Sequence, residues 1–116
     1  MKGLFVKLYG GCMRPILKDE DIIFVLPYKK IKLGDIVLYR TEYGNFLHRV
    51  IKISSEKITV CDDAGIASPL EISLDQVIGV YPTIFSGILG LLYHFFIRNV
   101  FIVCRFIKNL FFNYVL

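Results

Sequence analysis

The first 82 residues alternate short apolar runs with polar turns, as the strands of a small β domain do. Turn signals such as Gly34-Asp35 and Glu42–Asn45 separate the runs, which recur at intervals of about eight to twelve residues. One helical turn is expected near 73–76, within an otherwise irregular stretch. The pattern predicts a small, mainly β barrel or sandwich. Its predicted strands are 3–9, 21–26, 36–40, 46–53, 57–61 and 77–81.

From about Thr83 the period of the apolar pattern changes from that of a strand to that of a helix. Nearly every residue from 88 to 116 is Leu, Ile, Val, Phe or Tyr, apart from a narrow polar stripe. At 3.6 residues per turn the stripe occupies about 100° of the helix surface. Its members are His94, Arg98, Arg105, Lys108 and Asn109. The chain is therefore divided into a β domain over 1–82 and an amphipathic helix over 83–116.

The wide apolar face of this helix predicts contact with a membrane or with a second copy of the chain. A membrane-spanning helix needs about 20 apolar residues. The best uncharged window, 79–97, includes Pro82 and His94 and overlaps the last predicted strand. We therefore expect residues 84–116 to lie in a membrane interface or at an oligomer contact rather than to span. His94 is then expected to be a solvated member of the stripe.

The distribution of charge favours a membrane partner over a nucleic acid. The formal net charge is +4, and residues 84–116 contain three Lys or Arg and no Asp or Glu. A basic, apolar tail is typical of contact with an anionic membrane surface. Residues 1–83 contain eleven Lys or Arg against ten Asp or Glu, without a basic cluster interleaved with aromatic residues. No nucleic-acid partner is expected.

One cysteine stands in a turn that could present it as a nucleophile. Cys12 follows Gly10-Gly11 and precedes Pro15, so glycine freedom and a fixed proline φ flank the thiol. With Cys61 and Cys104 the chain has three cysteines, which is too few and too scattered for a disulfide framework. At least one thiol is therefore expected to be free.

A thiol nucleophile needs a base and a group that orients the base. The candidate base is His48, which lies in an otherwise apolar strand, and the candidate acids are Asp62 and Asp63, at the end of the next strand. Taken singly, each residue has a structural explanation. A cysteine is commonly a small buried apolar residue, a strand histidine is commonly hydrogen-bonded in a core, and turn carboxylates are commonly solvated.

Taken in order, these motifs resemble the signal peptidase I superfamily, in the branch that uses histidine as base. The family's Ser-Gly-Ser-Met-x-Pro corresponds to Gly10–Pro15, and its Gly-Asp-Ile-Val and His-Arg-Val motifs are intact. The acid motif Lys-Gly-Asp-Asn is degenerate here. The matching segments are 10–15, 20–25, 34–37, 48–50, 60–63 and 77–79. The resemblance covers roughly 8–81 and implies a small β-barrel like that of signal peptidases and SOS-repressor domains, here with a C-terminal amphipathic helix.

The resemblance implies roles for particular residues. Cys12 takes the position of the nucleophile, His48 that of the general base and Asp62 that of the orienting acid, with Asp63 as its fallback. The expected activity is that of a membrane-associated endopeptidase that cleaves a leader or signal segment of a peptide or preprotein through an acyl-enzyme. No cofactor and no metal is expected, since Cys12, His48 and Cys61 offer no close ligand pair of the kind zinc prefers.

The sequence departs from the family in three ways, and the first two motivate an alternative. The nucleophile is Cys instead of Ser. Gly10 stands in place of a Ser whose hydroxyl helps to bind the oxyanion, and losing such a donor reduces the stabilisation of the transition state by about 2.7–4 kcal/mol. The family's N-terminal anchor has no counterpart before Cys12, so the C-terminal helix is expected to replace it. The alternative is a non-catalytic relative that binds a peptide strand in the same groove. A relative of the SOS-repressor domain ranks last, because that branch uses a lysine base and a DNA-binding helix-turn-helix.

Overall fold

The computed structural model describes residues 3–7, 22–27, 30–66 and 68–115, and the predicted nucleophile Cys12 lies outside them. The described chain forms seven strands and one helix. They are β1 (Leu4–Lys7), β2 (Ile22–Val25), β3 (Ile36–Thr41), β4 (Gly44–Ile53), β5 (Lys57–Cys61), β6 (Leu70–Ser73), β7 (Val77–Tyr81) and α1 (Gly87–Val115). The predicted mainly β fold with a C-terminal helix is confirmed.

The strands form two antiparallel sheets. The larger has the order β6-β5-β4-β3-β7, and the smaller pairs β1 with β2. An isolated bridge between Leu26 and Val80 connects the end of β2 to β7, the edge strand of the larger sheet. The five-stranded sheet is open, with β6 and β7 as its edges, so the described strands do not show the closed barrel expected from the sequence.

Strand β3 is the centre of the core because both of its faces are covered. Ile36 and Leu38 pack with Ile23, Val25 and Leu47 on the side of the small sheet. On the other face, Val37 and Tyr39 belong to a cluster with β4, β5, β6 and β7. This double burial explains the continuous apolar run Ile-Val-Leu-Tyr of the strand.

The sequence pattern predicted most of these elements and missed one. Strands β5 and β7 have the predicted bounds, while β4 begins earlier than predicted, because a two-residue turn pairs Thr41 with Gly44. The expected helical turn is a 3₁₀ turn at Leu74–Gln76, with a capping box between Ser73 and Gln76. Strand β6 was missed because Ile72 is its only fully buried residue, which leaves no alternation to detect.

Helix α1 lies against the β domain through a close contact at its first turns. A Cβ on Gly90 would come within 2.4 Å of the Arg49 guanidinium and 2.6 Å of the Gly34 carbonyl oxygen. Gly34 has a φ of +91°, which favours glycine, and a Cβ there would meet the Gly87 carbonyl. Two small residues therefore let the helix backbone approach the turn before β3.

This contact predicts that Gly90→Ala destabilises the protein, although alanine is the better helix former by about 1 kcal/mol. Forcing a methyl group against the buried guanidinium is expected to lower the free energy of unfolding by about 1–3 kcal/mol. Denaturant unfolding followed by circular dichroism measures the change. Asn99→Ala, at an exposed position of the same helix, is the control, and equal or higher stability of Gly90→Ala would refute the close contact.

Candidate functional site

The β3–β4 hairpin brings the predicted base next to a tyrosine. The register pairs Val37 with His48 and Tyr39 with Phe46, so these four side chains share one face of the sheet. The Tyr39 hydroxyl lies 2.8 Å from Nδ1 of His48. The rings of Tyr39 and Phe46 lie 5.7 and 6.3 Å from the imidazole, centroid to centroid. His48 is thus held on two sides by aromatic rings.

The environment of His48 favours the neutral imidazole. Burial lowers the pKa of His48 from its ordinary value of 6.5, and the nearby charges of Asp62 and Asp63 oppose that shift without cancelling it. A histidine that is neutral at physiological pH can accept a proton. Among the described residues no hydrogen bond is made to its other nitrogen, Nε2.

The two candidate acids are buried, in contrast to the solvated turn carboxylates that their sequence context suggested. Asp62 and Asp63 follow β5 directly, and both are fully buried. The Asp62 carboxylate accepts hydrogen bonds from Arg98 at 2.6 Å and from the Ile66 amide at 2.7 Å. Burial at this point of the chain requires compensating charge, which the neighbouring elements supply.

Arg49 supplies compensating charge to Asp63. Its Nε and Nη2 atoms donate to the two carboxylate oxygens of Asp63, at 2.9 and 2.8 Å. Its Nη1 atom donates to the carbonyl of Gly34 at 2.7 Å and to that of Phe85. The guanidinium is itself fully buried. One side chain therefore ties β4 to the loop after β5, the turn before β3 and the segment that leads into α1.

Helix α1 completes the pairing of the two carboxylates. Nδ1 of His94 lies 2.7 Å from Asp63 Oδ1, and Arg98 contacts the Asp62 carboxylate and carbonyl oxygen. Arg105 donates to the carbonyls of Ala64 and Gly65, at 2.7 Å each. We call the segment Asp62–Gly65 the acidic loop. Three members of the polar stripe thus bind the acidic loop, and of these His94 is buried, Arg98 is partly buried and Arg105 is exposed.

This docking corrects the sequence interpretation of His94 as a solvated residue, because its side chain is only 1% exposed. It also explains the charge state of its partner. Burial alone would raise the pKa of the Asp63 carboxyl, but the hydrogen bonds from His94 and Arg49 outweigh burial and hold that pKa below its usual range. Asp63 is therefore an ionised carboxylate whose oxygens are bound by Arg49 and His94.

The structure brings His48 and the acidic loop close enough for charge interaction, but not into direct contact. Within the described part of the chain, neither Asp62 nor Asp63 is hydrogen-bonded to His48, and Tyr39 is the direct partner of the imidazole. The role of Asp62 as orienting acid stays a prediction, as does that of Asp63 as fallback. The contact of Cys12 with His48 falls outside the described residues.

Sequence reasoning missed several members of the site. The sequence around Tyr39 indicated only a strand residue. Arg49 belongs to the His-Arg-Val motif, in which only the histidine was assigned a role. The docking of His94 and Arg98 could have been inferred from two basic residue types four positions apart on one helix face, together with two adjacent carboxylates elsewhere. Such a pair in an otherwise apolar chain is a candidate for mutual burial.

The two described cysteines differ in exposure. Cys61 is buried, and burial raises the pKa of its thiol, so it is expected to be inert. Cys104 is exposed on α1. The described residues contain no group of three or more His, Cys, Asp or Glu side chains arranged to hold a metal ion.

Comparison with known proteins adds no assignment to this geometry. No family model matches the sequence, and no curated protein matches it. The resemblance to signal peptidases therefore rests on the motif series alone and stays a prediction.

Removing a buried carboxylate is expected to lower the free energy of unfolding more than removing an exposed one. Asp63→Ala leaves Arg49 and His94 buried without their anion, and the free energy of unfolding is expected to fall by about 3–5 kcal/mol. Glu71, which lies 3.6 Å from Lys57 with 61% of its side chain exposed, is the matched control, and Glu71→Ala is expected to cost under about 1 kcal/mol. Equal costs in urea unfolding would contradict the buried network.

The environment of His48 predicts the direction of its titration. An NMR titration of the His48 ring protons is expected to show a midpoint below 6.5, because burial disfavours the imidazolium. Asp62→Asn removes a charge that raises this pKa, so the midpoint is expected to fall further. Glu71→Gln, an exposed carboxylate change, serves as control. A midpoint at or above 6.5 in the unchanged protein would exclude the described environment.

Proposed function

We propose that this chain is a membrane-associated endopeptidase of the signal peptidase type, with Cys12 as nucleophile, His48 as general base and the acidic loop as electrostatic support. The observation that carries the proposal is the state of His48. It is a half-buried imidazole with a lowered pKa, its Nδ1 is occupied by Tyr39, and two ionisable carboxyl groups lie near it. That combination suits a group that takes up a proton during a reaction.

The chemistry follows from the residue types. His48 takes the proton of the Cys12 thiol, and the sulfur attacks the scissile carbonyl carbon to form a tetrahedral intermediate. The carbon–nitrogen bond then breaks, and the leaving amine receives the proton from the imidazolium. Water, deprotonated by the same imidazole, hydrolyses the thioester and frees the thiol. The charges of Asp62 and Asp63 stabilise the imidazolium that forms in each half-reaction.

The helix supports the membrane part of the proposal. Residues Gly87–Phe111 of α1 are long and apolar enough to span or anchor a membrane, with a mean hydropathy of 1.7 and 11% of the segment's most apolar window buried. The residues opposite the polar stripe are exposed: Leu92 by 64%, Phe96 by 67% and Val103 by 53%. Because the stripe binds the acidic loop, the apolar face is the one that remains outside.

The docked position of α1 favours a helix that lies on the membrane over one that crosses it. Arg105 is the most C-terminal residue of α1 with a hydrogen bond to the β domain among the described residues. At about 1.5 Å per residue, about 27 Å of α1, from Gly87 to Arg105, lies along the β domain and is held there by these contacts. A monotopic anchor, with the apolar face in the lipid and the β domain on top, keeps every contact of the acidic loop.

The proposed activity predicts cleavage that depends on two side chains. The protein is incubated in mixed micelles with a library of synthetic leader-like peptides, and products are identified by mass spectrometry. We expect cleavage after small residues, abolished in Cys12→Ala and reduced by about 10²- to 10⁴-fold in His48→Ala, the usual contribution of a general base. Cys104→Ser changes an exposed thiol on α1 and is expected to keep full activity.

Two results of this assay would reject the proposal. Cleavage that persists in Cys12→Ala would come from another residue or another protein. Peptide binding without any turnover, both in the unchanged protein and in Cys12→Ser, would favour the non-catalytic peptide-binding alternative.

The proposed anchor predicts binding to lipid vesicles through the apolar face. We expect the protein to float with vesicles of phosphatidylcholine and phosphatidylglycerol, and Leu92→Glu combined with Phe96→Glu to abolish flotation without unfolding the β domain. Tyr43→Glu, at an 84% exposed position of the β3–β4 turn, is the control for an added charge. Failure to float, together with a stable dimer in detergent-free buffer, would assign the face to a second copy of the chain.

A further inference from the structure

The partner of His48 Nδ1 decides which nitrogen of the imidazole can act as a base. Nδ1 is engaged by the Tyr39 hydroxyl at 2.8 Å. Proton transfer to a substrate or nucleophile is therefore left to Nε2, which no described residue contacts through a hydrogen bond. In a neutral imidazole only one nitrogen carries a hydrogen, and the other carries the lone pair that accepts a proton. Nε2 can be the base only when Nδ1 carries the hydrogen.

We propose that Tyr39 is a positioning residue for His48: its hydroxyl oxygen accepts a hydrogen bond from Nδ1–H and so holds the tautomer in which Nε2 carries the free lone pair. This inference rests on the proposed function for its catalytic meaning. It assigns to Tyr39 the direct orienting contact that the sequence resemblance gave to Asp62.

The surroundings of Tyr39 suit this task. Its side chain is 1% exposed and belongs to the core cluster of β3 with Val37, Val50 and Val77. A phenol fixed by packing can hold an imidazole in one orientation at little further cost in side-chain entropy. His48, in contrast, is only half-buried, and the Tyr39 hydroxyl is the one hydrogen-bond partner of its ring among the described residues.

The division of labour with the acidic loop also follows from the contacts. The Asp62 carboxylate is bound by Arg98 and the Ile66 amide, and the Asp63 carboxylate is bound by Arg49 and His94. Both carboxylates are therefore committed to the docking of α1 and act on His48 only through space. Orientation comes from β3, and charge stabilisation comes from the acidic loop.

The direct test is the tautomer of His48, measured by ¹⁵N NMR of the full chain, labelled at histidine, in detergent micelles above the pKa of the imidazole. We expect a protonated Nδ1 and an unprotonated Nε2 in the unchanged protein, and a loss of this preference in Tyr39→Phe. Tyr43→Phe, at the exposed turn, is the matched control and is expected to leave the spectrum unchanged. A protonated Nε2 in the unchanged protein overturns the proposal by itself, even if Tyr39→Phe fails to fold.

Kinetics on leader-like peptides supply the second measurement. Tyr39→Phe is expected to lower kcat by about 10- to 100-fold, a part of the general-base contribution, with KM changed less than twofold. An unchanged kcat in a folded Tyr39→Phe protein would refute the positioning role. If the Nδ1–H tautomer is found but the unchanged protein cleaves no peptide, the proposed peptidase function fails while the contact with Tyr39 stands.

Discussion

The buried ion pair between Arg49 and Asp63 is the constraint on which the arrangement of this protein depends. A charge that is fully removed from water is tolerated only when its hydrogen-bonding capacity is satisfied. Here the guanidinium uses all three of its nitrogens, two toward Asp63 and one toward backbone carbonyls of the Gly34 turn and of the segment before α1. The pair therefore fixes the position of β4, of the acidic loop and of the helix at once.

The orientation of α1 follows from that constraint. His94 and Arg98 complete the pairing of the two carboxylates, so the polar stripe must face the β domain. The apolar face is then left on the outside, where water is a poor solvent for it. An amphipathic helix with its polar side inward is the reverse of the usual soluble arrangement, and it links the proposed membrane contact to the proposed site through the same residues.

The pattern of apolar and turn residues within a segment predicted the elements that depend only on that segment. Short apolar runs bounded by turn residues predicted β3, β5 and β7, and the 3.6-residue period predicted α1, because these elements follow from their own residues. The open sheet, strand β6 and the burial of His94 depend on partners that are distant in the chain. The pairing of Asp62 and Asp63 with α1 joins residues that are 36 and 31 positions apart, and no single-segment pattern contains that information. The contact of Tyr39 with His48 required the hairpin register, which only a turn of known length fixes.

The central claim is that the Cys12 thiol and the His48 imidazole act on one another, and thiol acylation measures this most directly. The protein is treated with the p-nitrophenyl ester of N-acetylalanine, and the acylation rates of Cys12 and Cys104 are followed by peptide mass spectrometry. Our account predicts that Cys12 reacts faster than the exposed Cys104 and that His48→Ala slows Cys12 alone. A rate at Cys12 that is unaffected by His48→Ala, or no faster than that at Cys104, would contradict it.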